Sequence, residues 1–275
     1  MGGMVSVAAL GSFTAACSGA GPSASVLMPS GRSRGSAAGS ATASVDADLI
    51  RHRYGGLKPF APAPTPPAVK PLTLSASDPA VFSRVPVTDK VVFITIDDGL
   101  VKDPKFIQMV KDLKVPVAVE LANLFISDDY PYFARLYETG YVSIQNHTVS
   151  HPLNMPSLSA AQQLAEISGQ QEILKREYGV TPYLFRPPGG NYDETTVSAA
   201  GQAGLKGIML WKEAMEISDM QYQTAVHRLS PGDIILCHFR GPAQLDGESM
   251  VRMMTRLYKH IQAQGFTIAD ITKYV

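Results

Sequence analysis

From Lys90 onward the chain alternates between short apolar runs and longer stretches whose apolar residues recur at helical spacing. VVFITI is a continuous apolar run of strand length that ends in Asp97, Asp98 and Gly99. DPKFIQMVKDL then carries the period of an amphipathic helix, VPVAVEL predicts a second strand, and YPYFARLYETG a helix stopped at Gly140. YVSIQNHT predicts a third strand. SLSAAQQLAEISGQQEILKREYG predicts a long helix, capped at Ser159 or Ser157 and terminated at Gly179. YLFRPPGG, DETTVSAAGQAG and GIMLW repeat strand, helix, strand. IILCHF is another buried strand, GESMVRMMTRLYKHIQAQG a last amphipathic helix, and FTIADI closes the chain's pattern. Strands that alternate with helices specify a parallel sheet covered by those helices.

Before residue 88 the texture is different. Residues 1–16 are small and apolar and run into Cys17 through SFTAAC, with the first charged side chain only at Arg32. That pattern is similar to the tail of a bacterial lipoprotein signal, in which a cysteine after small residues is lipidated, although Thr14 stands where leucine or valine is usual. The expectation is a leader over 1–17 and an anchor at Cys17. From 18 to 87 the chain is rich in Ser, Ala, Gly and Pro, with PFAPAPTPPAVKP as polyproline-like backbone. This composition predicts a disordered tether, up to about Asp78, ahead of one folded domain over 88–275.

Composition narrows the function classes. Of 275 residues, 45% are hydrophobic, enough for one full-sized core. Lys plus Arg and Asp plus Glu both total 24, so no basic surplus points to nucleic acid or to an anionic membrane surface. After the leader no run of about 20 apolar residues could span a membrane. Two cysteines, Cys17 and Cys237, argue against a disulfide framework, and Cys237 reads as inert packing in a buried strand.

Chemistry-bearing residues fall just after strand-like runs, where α/β folds build their sites. Asp97 and Asp98 are adjacent carboxylates, while His147 and His151 lie at i and i+4 and share a face if Thr148 to Ser150 make a helical turn. One aspartate and two histidines make a three-ligand metal site with an open position, and the second aspartate is left over as a base. Taken alone, Asp-Asp-Gly also fits a tight turn or a calcium-loop fragment, and the histidine pair an ordinary surface pair. Arg186 could hold the spare carboxylate in place, and His238 could protonate a leaving group. His52, His227 and His260 read as surface residues, and Met250, Met253 and Met254 as core.

Together these segments resemble the polysaccharide deacetylases of the NodB-homology type, carbohydrate esterase family 4, from about Lys90 to the C-terminus. Thr95–Gly99 stands for the family's Thr-Phe-Asp-Asp-Gly motif, with Ile96 in place of phenylalanine. His147, Thr148 and His151 match His-Thr/Ser-x-x-His; Arg186, Pro188 and Gly190 match Arg-x-Pro-x-Gly; Leu236 and His238 match the last motif. Two departures stand out. Gly189 replaces the usual tyrosine, and the fourth motif, Asp-x-x-Asp-Trp, has only Glu213 and Glu216 as its nearest counterpart.

The resemblance implies a distorted (β/α) barrel of about seven strands. It also implies Asp98, His147 and His151 as ligands of a divalent metal, zinc foremost and cobalt as an alternative. Asp97 would then be the base oriented by Arg186, and His238 the acid. Gly189 would offer an oxyanion-binding N–H and Leu236 a substrate contact. Glu216 becomes the candidate to replace the missing aspartate beside His238, with Glu213 second. The implied substrate is an acetylated amino-sugar polymer, handled by a monomer outside the cell or at its surface. Two rivals are a glycan-binding surface lipoprotein on a degenerate scaffold and an O-acetyl esterase acting on a glycan such as xylan.

Overall fold

The computed structural model describes residues 46–275, so the expected leader, Cys17 and the tether up to residue 45 lie outside the described residues. In chain order the elements are α1 (46–53), β1 (Ala80–Phe82), β2 (Val91–Asp98), α2 (Pro104–Leu113), β3 (Val117–Leu121), α3 (Asn123–Ile126), α4 (Tyr130–Tyr137) and β4 (Val142–Asn146). They continue with α5 (Ala160–Tyr178), β5 (Leu184–Phe185), α6 (Glu194–Gln202), β6 (Gly207–Met209), β7 (Glu213–Met215), β8 (Met220–Tyr222), β9 (Ile234–His238), α7 (Met250–Ala263) and β10 (Thr267–Ile268).

Strand order is β1-β6-β5-β4-β3-β2-β9-β7-β8, with β10 on the start of β2. Every pairing is parallel except the β7–β8 hairpin. All seven strands anticipated from the sequence are present; β1, β7 and β8 are additional. The sheet curls into a distorted barrel, and its open side is narrowed where Arg84, just past β1, bridges Asp233, just before β9. Gly232 makes that approach possible: at φ 80 a Cβ there would sit 1.8 Å from the Val85 carbonyl oxygen.

Alternation along β2 sorts its side chains. Val92, Ile94 and Ile96 pack outward with Phe106 and Met109 of α2 and with Met253, Met254 and Leu257 of α7. Val91 and Phe93 point inward with Leu184, Met209 and Ile234. Thr95 and Asp97 continue that inward row, so the barrel interior turns polar at the carboxyl ends of the strands. Local signals hold the covering helices: Ser159 and Gln162 form a capping box, and Gly179 ends α5 at φ 67. Met250, Met253 and Met254 are core, as their spacing indicates, and Cys237 is buried among them.

The expectation of a free tether fails from residue 46 onward. Ile50, Tyr54 and Leu57 are buried, and the Tyr54 hydroxyl donates to Asp112 at 2.6 Å. Polyproline backbone has no internal hydrogen bonds, so its carbonyls are free to accept from outside. Here the domain supplies the donors: Gln262 to Lys58 O at 2.6 Å, Thr267 to Ala61 O at 2.6 Å, and Tyr274 to Pro64 O at 2.8 Å. Phe60 adds an edge-on contact with Tyr258. Residues 46–87 are therefore a strap belonging to the domain, and His52 is an exposed residue of α1.

Candidate metal centre

Asp97 and Asp98 diverge at the end of β2. Asp97 keeps the strand's alternation and stays inside the barrel, while Asp98 leaves it at φ 76. Gly99 follows at φ 95, where a Cβ would lie 2.4 Å from Ile126. The turn therefore requires glycine, and it aims the two carboxylates differently.

Asp98 Oδ1 lies 3.1 Å from His151 Nε2 and 3.5 Å from His147 Nε2. One donor atom from each of the three residues lies within 4.8 Å of the others, the one such cluster among the described residues. Convergence is not achieved by a helical turn, as the i, i+4 spacing had suggested. Thr148 at φ 71 and His151 at φ 56 are left-handed instead. With Asp98, three of the five non-glycine residues at positive φ in the described chain belong to this centre. Such conformations cost of order 1 kcal/mol or more each and persist where surrounding structure enforces them. Enforcement comes from Glu166 of α5, whose carboxylate accepts from Val149 N at 3.0 Å, Ser150 N at 2.7 Å and Ser150 Oγ at 2.6 Å.

His147 is set up as a ligand. Its Nδ1 donates to the Arg186 carbonyl at 2.6 Å, which leaves the Nε2 lone pair facing Asp98. Burial opposes protonation of this ring, yet Asp97 and Asp98 outweigh it and raise its affinity for a proton. The same field favours a metal cation. Burial also opposes ionisation of Asp98, but His147 and His151 override it and hold the carboxyl well below its usual range. Asp98 Oδ1 is buried and makes no hydrogen bond despite its two close histidines. An orphaned carboxylate oxygen facing two imidazole nitrogens is what a divalent cation would satisfy, so the residues fit the metal that the motifs imply.

Beside this trio, Asp97 Oδ1 accepts from Arg186 Nη1 at 2.6 Å. Arg186 is fully buried and tied further to Thr95 Oγ1 at 2.8 Å, Met209 O at 2.8 Å and Leu210 O at 3.2 Å. Its guanidinium also lies over the Trp211 ring, 5.6 Å from the centroid. This network fixes the orientation of Asp97, whose second oxygen is 3.7 Å from His147 Nε2. Gly189, at φ 64, sits exposed in the tight turn Pro188–Gly190. Leu236 is buried two residues before His238 on β9.

His238 is the register partner of Asp97 across β2 and β9. Its Nδ1 is buried without a hydrogen-bond partner, and burial lowers the ring's pKa despite the nearby Asp97 and Asp98. Glu216 does not fill the expected tuning role: its carboxylate accepts from Arg240 Nη1 at 2.6 Å instead. Arg240 lies two residues beyond His238 and is the stronger attractor for a carboxylate. Glu213 is no substitute. It is buried against Asp233, and burial together with that neighbour pushes it up to about 8. Asp219 shares the acid-x-x-acid spacing with Glu216, but it sits exposed in the β7–β8 turn.

Sequence reasoning missed Glu120. This side chain is fully buried on β3, in register between Asp97 and Gln145, with neither carboxyl oxygen hydrogen-bonded. Burial pushes it up to about 8, with Arg186 pulling the other way. The signal was present as a lone acid within the apolar run VAVEL.

The family model described as polysaccharide deacetylase matches residues 84–208. An uncharacterized protein of Streptomyces coelicolor is 35% identical over 198 residues, covering 72% of this chain and 78% of its own. A peptidoglycan-N-acetylglucosamine deacetylase of Bacillus cereus is 26% identical over 204 residues, covering 70% and 92%. The fold is shared with a Bacillus anthracis protein described as a pseudoenzyme of carbohydrate esterase family 4, with TM-score 0.59 at 18% identity over 71% of this chain and 69% of that one. Motifs, site geometry and relatives agree: this chain carries a NodB-homology domain and belongs to the polysaccharide deacetylase family.

Proposed function

We propose that this protein is a metal-dependent hydrolase that removes N-acetyl groups from amino sugars of a cell-wall or extracellular polysaccharide. One observation carries the reading: Asp98, His147 and His151 converge beside an Asp97 carboxylate clamped by a buried arginine. The names of the Bacillus cereus relatives support the substrate class. A divalent cation, zinc foremost, held by Asp98, His147 and His151 would polarise the acetamide carbonyl and acidify a water.

The chain's own residues supply the proton transfers. Asp97 takes a proton from the attacking water while Arg186 keeps its carboxylate aimed. The Gly189 N–H, in the turn Pro188–Gly190, would donate to the oxygen that gains charge. His238 gives a proton to the departing nitrogen as the carbon–nitrogen bond breaks, which leaves acetate and a free amine. Action on such a polymer would place the protein outside the cytoplasm, and the apolar segment ahead of Cys17 supports that placement.

A second reading, a glycan-binding protein without turnover, is favoured by His238 lacking any carboxylate partner while Glu216 is held by Arg240. Release of acetate from tetra-N-acetylchitotetraose, measured with and without added zinc or cobalt, separates the two. Metal-dependent release supports the hydrolase; saturable binding without release supports the rival.

A further inference from the structure

From His147 to His151 the backbone belongs to no helix or strand, so its polar groups must find partners elsewhere. Side chains supply them. Thr148 N donates to Asn146 Oδ1 at 3.0 Å, and His151 N to Thr148 Oγ1 at 3.2 Å. Val149 N and Ser150 N both donate to Glu166 Oε2, at 3.0 and 2.7 Å, and Val149 N is shared with the Glu166 carbonyl at 3.1 Å. The Ser150 hydroxyl donates to the other carboxyl oxygen of Glu166 at 2.6 Å. Asn146 and Thr148 belong to the segment or adjoin it, whereas Glu166 reaches in from α5.

The helix is seated for this contact. Asn146 Nδ2, on the side chain that accepts from Thr148 N, donates to Ile167 O at 2.9 Å and to Gln171 Oε1 at 3.0 Å. Gly169 keeps the approach close, since a Cβ there would lie 3.0 Å from Val149 Cγ2. On the other side, Thr148 O and Val149 O accept from Asn123 N and Leu124 N of α3. The segment is thus gripped between a helix start and one carboxylate. It holds Thr148 at φ 71 and His151 at φ 56, a region that a β-branched residue such as threonine avoids.

We propose that Glu166 is a positioning residue for the metal: it keeps His151 beside Asp98 and so sets the affinity of the site for a divalent cation. The proposal rests on the metal-dependent part of the proposed function, and not on the acetyl chemistry. Without the carboxylate, Ser150 N and Oγ lose their partner and the left-handed residues can relax. His151 Nε2, now 3.1 Å from Asp98 Oδ1, then leaves that oxygen for much of the time. A site whose converged form falls to about 1–10% of molecules binds ~10- to 100-fold more weakly, because only that form is competent.

The test is zinc affinity of the full chain, stripped with chelator and titrated in competition with a chromophoric chelator. Glu166→Ala should weaken zinc ~10- to 100-fold, the usual effect of losing an outer partner of metal ligands, and should change the visible absorption of the cobalt form. Glu166→Gln keeps an oxygen for Val149 N and Ser150 N and offers an N–H to Ser150 Oγ, so it should restore affinity to within about threefold and recover the cobalt spectrum. Ser150→Ala leaves α5 untouched and should weaken zinc severalfold, which tests the contact even if Glu166→Ala does not fold. Melting of the metal-free variants separates a purely structural role, which would lower the melting temperature and leave zinc affinity unchanged. Wild-type zinc affinity in Glu166→Ala or in Ser150→Ala overturns the proposal, as does a loss in Glu166→Gln equal to that in Glu166→Ala. Tight zinc binding by the wild type without acetate release from tetra-N-acetylchitotetraose overturns the hydrolase and leaves the clamp standing. A wild type that holds neither zinc nor cobalt overturns both.

Discussion

Replacing Glu120 by glutamine should make the protein more stable, and the gain should grow with pH. The carboxyl is fully buried and neither oxygen has a partner, so ionising it inside the barrel is unfavourable. Its pKa is pushed from 4.5 up to about 8. A folded-state pKa above the unfolded one means the native state binds the proton more tightly. The stability this contributes is complete below 4.5 and is lost as pH rises through about 8. At ~1.4 kcal/mol per pKa unit the loss across that window reaches about 5 kcal/mol, an upper bound because Asp97 and Arg186 share the site. Glutamine keeps the shape and cannot ionise. Urea unfolding of chelator-treated wild type and Glu120→Gln at pH 5 and pH 8.5 would read the difference directly. The variant's advantage should widen by a few kcal/mol between the two. A stability difference equal at both pH values would refute the reasoning.

Three further outcomes follow from the site. Asp97→Asn should retain zinc, measured by calorimetry, while kcat falls ~10²- to 10⁴-fold, the usual worth of a general base. His151→Ala removes one of three converging donors and should abolish both tight zinc binding and acetate release, checked by metal analysis after dialysis. The pH dependence of kcat should fall on its alkaline side early. The His238 acid works only when protonated, and burial holds its pKa below the ordinary 6.5, so activity is lost as pH rises past that lowered value; a plateau extending beyond pH 8 would assign the acid elsewhere.

Much of this was legible because it is local. Apolar runs of strand length, the Ser159 capping box and the Gly179 terminator each act within a few residues of themselves. The motif residues were legible for a related reason: Asp97, Arg186 and His238 sit at strand ends, where a parallel sheet must gather them. What stayed hidden depends on distant partners. Polyproline composition reads as a tether until Gln262, Thr267 and Tyr274 provide donors, some 200 positions along the chain. Glu120 looked like an ordinary strand residue because only the register with Asp97 makes it unusual.

The fate of Glu216 shows where spacing stops being informative. Its place after β7 brings it near His238, as the motif comparison anticipated, and its charge does favour the protonated ring. Proximity does not decide the hydrogen bond, however. Arg240 offers a permanent charge and a directional N–H, whereas a neutral imidazole offers a single weaker donor. The carboxylate therefore goes to the arginine, and His238 keeps its low proton affinity. A reaction that needs this histidine protonated is then limited by Arg240, a residue outside every motif the family supplies. Arg240→Gln should free Glu216 to reach the ring and shift the alkaline limb of kcat to higher pH, and a limb that stays in place would show that burial alone sets it.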